Sequence, residues 1–201
     1  MVQNSHMSSG RPIEFDRDQA IEAAMEVFWR QGYEATSLAD LLAAMGLSKS
    51  SLYQAFGSKQ KLFETCLAHF RERQTARMTR ALEAAPSAMA FLRQMLRGVA
   101  REARARPCPK GCLIMNSATE FAGRDPAIAR LVERGVGDFT AVFRAAIRRA
   151  QSEGDVPAAR SADTLARYIV STISGLKTMI KAGASARSVE DIAEVALGAL
   201  R

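Results

Sequence analysis

Residues 46–63 read GLSKSSLYQAFGSKQKLF. If residues 48–56 are helical, Lys49, Ser50, Tyr53 and Gln54 fall on one side, and Leu47, Leu52 and Phe56 on the other. The polar side offers an ammonium, hydroxyls, a phenol and an amide, groups that hydrogen-bond phosphate oxygens and base edges. So short and serine-rich a helix is marginal alone, because nucleation is costly and serine is a poor helix former. Its polar face is therefore expected to meet a partner. The backbone N–H groups around Ser48, Lys49 and Ser50 favour anions, as do those at Ser37 and at Ser58 with Lys59. Three helix starts can then address one phosphate backbone. The alternative is a set of ordinary caps and a solvated face.

The cysteines suggest other chemistry. Cys66, Cys108 and Cys112 are odd in number and lack a secreted framework's spacing, which predicts reduced thiols. Cys66 and His69 lie one helical turn apart, and Cys108 and Cys112 about one turn if helical, so a soft-metal sensor is one reading. In CPKGC, Pro109 suits the first turn of a helix and places Cys112 beside Lys110 near its start. Both features favour thiolate, the form that attacks electrophiles, and a Cys108–Cys112 bridge is the oxidised counterpart. The competing reading is a buried, inert cysteine. Catalysis is not expected: there is no nucleophile elbow, phosphate-cradling glycine loop or zinc-spaced ligand set, and no cofactor is implied.

Apolar residues recur at three- and four-residue spacing throughout, which predicts an all-α fold. A first helix opens at Asp16, with Gln19 in capping-box register, buries Ile21, Ala24, Met25 and Phe28, and closes at Gly32. A second runs from Ser37, with Asp40 three residues on, to Gly46, which is free to take the positive φ of a turn. Ser48 starts a third, and Ser58 a long fourth reaching about Glu83. Pro86, Pro107, Pro109, Pro126 and Pro157 divide the rest into roughly five further helices. The leader MVQNSHM reads as an expression-vector remnant, with residues 1–12 disordered, Met7 the native start and His69 the sole native histidine. No run approaches a membrane span, and the expected location is the cytoplasm.

The net charge of +7 suggests an acidic partner, yet it is unevenly placed. Residues 1–60 carry five Lys/Arg against seven Asp/Glu, residues 61–110 eleven against four, and residues 111–201 twelve against ten. Arg93, Arg97, Arg101 and Arg104 form a stripe leading to Arg106 and Lys110. It reads either as positive potential near a nucleic acid or as a solvated face.

Residues 20–67 resemble the tetracycline-repressor (TetR) family of one-component transcriptional regulators. The resemblance rests on an apolar helix ending in F…GY, then TS, the turn MGLSKSSLY, and F followed by SK…LF, all in order. It implies a helix-turn-helix DNA-binding headpiece, here residues 13–57, and a ligand-binding and dimerisation domain at 58–201, joined through the fourth helix. Carried over, Thr36 and Ser37 position the backbone at the second helix. Ser48, Lys49, Ser50, Ser51, Tyr53 and Gln54 form the recognition helix, and Lys59 is the phosphate contact that starts the fourth. Leu42, where alanine is common, and Gln54, in QAF, depart from the family pattern. The stretch GCLIMNSATEF resembles a subgroup in which Gly-Cys opens the sixth helix.

The resemblance further implies a repressor that binds a palindromic double-stranded operator as a homodimer and is released by a small-molecule effector. Pocket residues are nominated by type: Phe91, Met95, Cys112, Met115, Asn116, Phe139, Phe143, Tyr168, Thr172, Leu176 and Met179. In residues 163–181, Leu165, Tyr168, Thr172, Leu176 and Met179 mark one apolar face, and Ala166, Ile169, Val170, Ile173 and Ile180 another. Val189, Ile192, Ala193, Val195, Ala196, Ala199 and Leu200 give the last helix the same character. Helices apolar on two sides are expected to pair across a two-fold axis.

Overall fold

The computed structural model describes residues 15–104, 110–121 and 123–201. The leader, Cys108 with its bridge to Cys112, Pro107, Pro109 and Arg106 lie outside them. The described residues form nine helices and no strand: α1 Arg17–Gln31, α2 Leu38–Met45, α3 Lys49–Phe56, α4 Lys59–Ala84, α5 Ala88–Ala103, α6 Leu113–Phe121, α7 Pro126–Ser152, α8 Ala162–Lys181 and α9 Ala186–Gly198.

Local chemistry sets the starts. Asp16 accepts from the N–H groups of Asp18 and Gln19, both at 3.0 Å, while Ser37 and Asp40 cap each other reciprocally as a capping box. Ser48, Ser58, Ser87, Ser161 and Ser185 cap α3, α4, α5, α8 and α9. Pro126 opens α7 behind Asp125, where a missing N–H costs nothing. Between α2 and α3, Gly46 is left-handed at φ 64°, the conformation that turns the chain between two helices.

Two apolar cores organise the chain. One joins α1, α2 and α3 to the first half of α4, with Leu113 and Ile114 of α6 and Ile128 of α7. The other gathers the end of α4, α5, the second half of α7, α8 and α9. Helices α4 and α7 thus run through both, and half-buried Phe139 touches each. At about 1.5 Å per residue, the 26-residue α4 is some 40 Å long and links the two cores.

The arginine stripe of α5 divides: Arg97 and Arg104 face α9, whereas Arg101 lines a cavity with Trp29 and Arg30 of α1. Arg97 and Arg104 bind Glu194 and Glu190 of α9 at 2.8 and 2.6 Å, because α9 packs along this side of α5. Two of the stripe's four arginines are thus paired within the chain.

Phe63 is the keystone of the first core. It is 1% exposed, and its ring lies 4.9 Å from Phe28, 5.0 Å from Tyr33 and 5.6 Å from Phe121. Phe63→Ala should lower unfolding free energy by about 3–5 kcal/mol, checked by urea denaturation.

Candidate nucleic-acid interface

Helix α3 presents the expected two faces. Leu52 and Phe56 are buried and Leu47 is half-buried, whereas Lys49, Ser50, Tyr53 and Gln54 are exposed. Tyr53 is 42% exposed, an aromatic with its phenol in water at the middle of the polar face. Ser48 accepts from the Ser51 N–H at 3.1 Å and bonds the hydroxyls of Ser50 and Ser51 at 2.9 and 2.7 Å. The helix start is therefore set by its own serine hydroxyls.

Two nominated contact residues lie elsewhere. Thr36 is buried, and its hydroxyl donates to the Gly32 carbonyl at 2.5 Å, fastening the turn before α2. Ser51 is buried because it follows Leu52 onto the inner side, and its hydroxyl is spent on Ser48. Lys59 is half-buried, with its ammonium 4.3 Å from the centre of the Tyr33 ring.

Two acids of α1, Glu22 and Glu26, are engaged within the chain. Glu22 binds His69 at 2.7 Å and also Arg73; Glu26 binds Lys110 and Arg30, each at 2.6 Å. Burial raises both carboxyls, but the hydrogen bonds outweigh it and leave each below the ordinary range. Their charge is matched within the chain, away from the polar face of α3. Glu120 of α6 accepts from the N–H groups of Tyr33 and Glu34 at 3.0 and 2.8 Å, so α6 grips the α1–α2 turn directly.

Behind this contact lies a cavity of about 800 Å³ between α1, α4, α5, α7, α8 and the 110–112 turn. Four of the nominated residues line it: Met95, Cys112, Phe139 and Phe143. The other seven do not. Phe91 and Leu176 are buried in the second core. Asn116 donates to the Lys110 carbonyl at 2.9 Å and shapes the turn, and Met115 shares its helix. Tyr168, Thr172 and Met179 follow the helical repeat onto the outer side of α8, Tyr168 and Met179 exposed and Thr172 half-buried.

The two apolar faces of α8 are accordingly divided otherwise, since Leu165 and Leu176 of the first are also buried in the chain's core. Val170 and Ile173 look into the cavity, and Ala166, Ile169 and Ile180 are buried in the chain's own core. The apolar side left bare carries Tyr168 and Met179, continued on α9 by Ile192 and by Val195, which is 71% exposed. Periodicity also missed Trp29, Arg73, Arg77, Arg101, Lys110 and Lys177 on the cavity wall, because long cations and a residue of α1 look like surface in a linear reading.

This arrangement has close counterparts. The pattern of bacterial regulatory proteins of the tetR family matches residues 20–66, and a tetracyclin repressor-like C-terminal domain matches residues 88–196. The HTH-type transcriptional regulator YezE of Bacillus subtilis (strain 168) is 33% identical, over 95% of this chain and 99% of that protein. The HTH-type transcriptional repressor ComR of Escherichia coli (strain K12) is 30% identical over 94% and 91%. The chain belongs to the TetR family. A cysteine-substituted form of the TetR-family regulator CifR, solved with 26-base-pair operator DNA, superimposes with a TM-score of 0.83 at 34% identity, covering 95% of this chain and all of that one. This TetR-family chain is a DNA-binding transcriptional regulator, not an enzyme.

Two cysteines, Cys66 and Cys112, lie among the described residues, both as free thiols. Cys66 is buried, 3.7 Å from the Ile21 carbonyl, and His69 is engaged by Glu22 rather than by a ligand set. Among the described residues, no three His, Cys, Asp or Glu side chains gather as a metal site. Cys112 does sit at the start of α6, where its carbonyl accepts from the Asn116 N–H at 2.8 Å. Burial pushes its thiol above the ordinary range, against the pull of the Met115 N–H, Lys177 and the Ile114 N–H. A raised pKa means less thiolate at any given pH. At pH 8, iodoacetamide should alkylate Cys112 several-fold more slowly than the same thiol in urea, as read by mass spectrometry.

Proposed function

We propose that this chain is a repressor that binds a palindromic double-stranded operator as a homodimer, in the cytoplasm, and is released when a small-molecule effector enters the cavity. The observation that carries the reading is the outer face of α3, where Lys49, Ser50, Tyr53 and Gln54 stand together in solvent. Residues 13–57 serve as the DNA-reading unit and residues 58–201 as the effector and dimer unit. Ser37, Ser48 and Lys59 supply backbone contacts at three helix starts. Thr36 and Ser51 act by packing instead. The structure of CifR with operator DNA and the likeness to the repressor ComR support the reading as an operator-binding repressor.

Dimerisation rests on the bare side of α8 and α9. Tyr168, Met179, Ile192 and Val195 are all at least 37% exposed, an apolar surface that a second copy of the same two helices would cover. No helix among the described residues is long and apolar enough to cross a membrane. Coupling runs through residues shared by both regions: Lys110 lines the cavity and binds Glu26 of α1, while α6 holds the α1–α2 turn through Glu120.

Two experiments test these readings. In band-shift titrations, Lys49→Ala should weaken operator binding across sequences and lower the salt slope by about one, and Gln54→Ala should relax preference at one base pair by about 1–3 kcal/mol. Undiminished binding by the Lys49→Ala/Tyr53→Ala double variant would exclude α3 as the reading element. Val195→Asp places an unpaired carboxylate at the proposed dimer contact. Sedimentation should then show monomer and operator affinity should fall, whereas an intact dimer would move the contact elsewhere.

A further inference from the structure

We propose that the cavity takes an amphipathic organic anion, its charged group held by Arg77 and Arg101 and its apolar body laid against Met95, Phe139 and Phe143. The proposal rests on the reading of the chain as an effector-responsive regulator and deepens it by naming the effector's chemistry.

Six cations line the cavity, Arg30, Arg73, Arg77, Arg101, Lys110 and Lys177, against one acid, Glu102. Four of the six are already matched. Arg30 and Lys110 bind Glu26, Arg73 binds Glu22, and Lys177 binds Glu102 at 2.8 Å. Arg77 of α4 and Arg101 of α5 have no ion-pair partner among the described residues, although both border the same space. Arg101 lies back along its own helix. One of its terminal nitrogens is 3.5 Å from where a Cβ would stand on Gly98, itself a cavity residue.

This distribution discriminates among ligands. Both unmatched guanidinia are exposed and solvated, so neither incurs a buried-charge penalty in the empty protein. Each offers a planar fork that suits a carboxylate or sulfonate. Deeper in, Phe143 and Val99 are buried and Met95 and Phe139 half-buried, an apolar wall for a hydrocarbon or aromatic body. A volume of about 800 Å³ is ample for a drug-sized molecule. A cationic amphiphile would meet the two unmatched like charges, and a neutral one would leave both forks unused.

Trp29 provides the readout, being the only tryptophan of the chain and part of the cavity wall. Quenching of its fluorescence gives dissociation constants for decanoate, decanol and decylamine, which share a tail and differ in head group. Decanoate should bind at least about tenfold more tightly than either of the others, the usual scale of one charge-assisted contact. The Arg77→Gln/Arg101→Gln variant should lose that preference while keeping its decanol affinity, and unchanged operator binding by ligand-free variant would show that it is folded. Equal affinities, a preference for decylamine, no binding of any probe by operator-competent protein, or undiminished decanoate binding by the variant would each overturn the proposal. If the untreated protein fails to bind its operator, the regulator reading fails, and decanoate selectivity still decides the anion proposal.

Discussion

The packing of Phe63 against Phe28, Tyr33 and Phe121 is the contact on which the positioning of α3 depends. These rings come from α4, α1, the α1–α2 turn and α6. Helices α2 and α3, of eight residues each, have too little apolar surface to hold one another. They are fixed by docking on α1 and on the first half of α4. Because α4 continues into the second core, the orientation of α3 is tied to the packing of α5, α7, α8 and α9.

Polar contacts turn that apolar seat into a definite register. The Glu120 carboxylate takes two backbone N–H groups of the α1–α2 turn, and Lys110 lies between Glu26 and the Trp29 ring, whose centre is 4.2 Å away. A carboxylate holding two amides and an ammonium shared by a carboxylate and an indole are directional, so a small movement of α6 or the 110–112 turn breaks them abruptly. Lys110 and Trp29 also line the cavity. What enters the cavity therefore meets the groups that hold α1.

The uneven charge of the chain has its explanation in the same contacts. Two acids of α1 are paired with basic residues that follow in the chain: Glu22 with Arg73 and Glu26 with Lys110. Sequence totals place them in separate segments and suggest an acidic headpiece facing an anionic partner. Folding pairs them, and Lys49 remains in solvent on the polar face of α3.

Helix positions were legible in the sequence because capping is local: Asp16, Ser37, Ser48 and Ser58 each bond N–H groups two or three residues away. The division of α3 into Leu52 and Phe56 inside, Tyr53 and Gln54 outside, follows from the helical repeat alone, as does the resemblance of residues 20–67 to a known headpiece. Ser51 and Thr36 escaped that reading because a small hydroxyl can be buried once one neighbouring oxygen satisfies it. Which apolar side of α8 meets the cavity and which is left bare was not decided by periodicity, since Ile173 and Met179 are equally apolar in sequence and differ only in what packs against them. The cavity wall was likewise set by tertiary structure. Its cations come from α1, α4, α5, α8 and the 110–112 turn, and each reads as solvated surface until the helices converge. Local hydrogen bonds and the 3.6-residue repeat act over a few residues and so are encoded in order along the chain; burial and charge pairing act across elements and exist only once those elements meet.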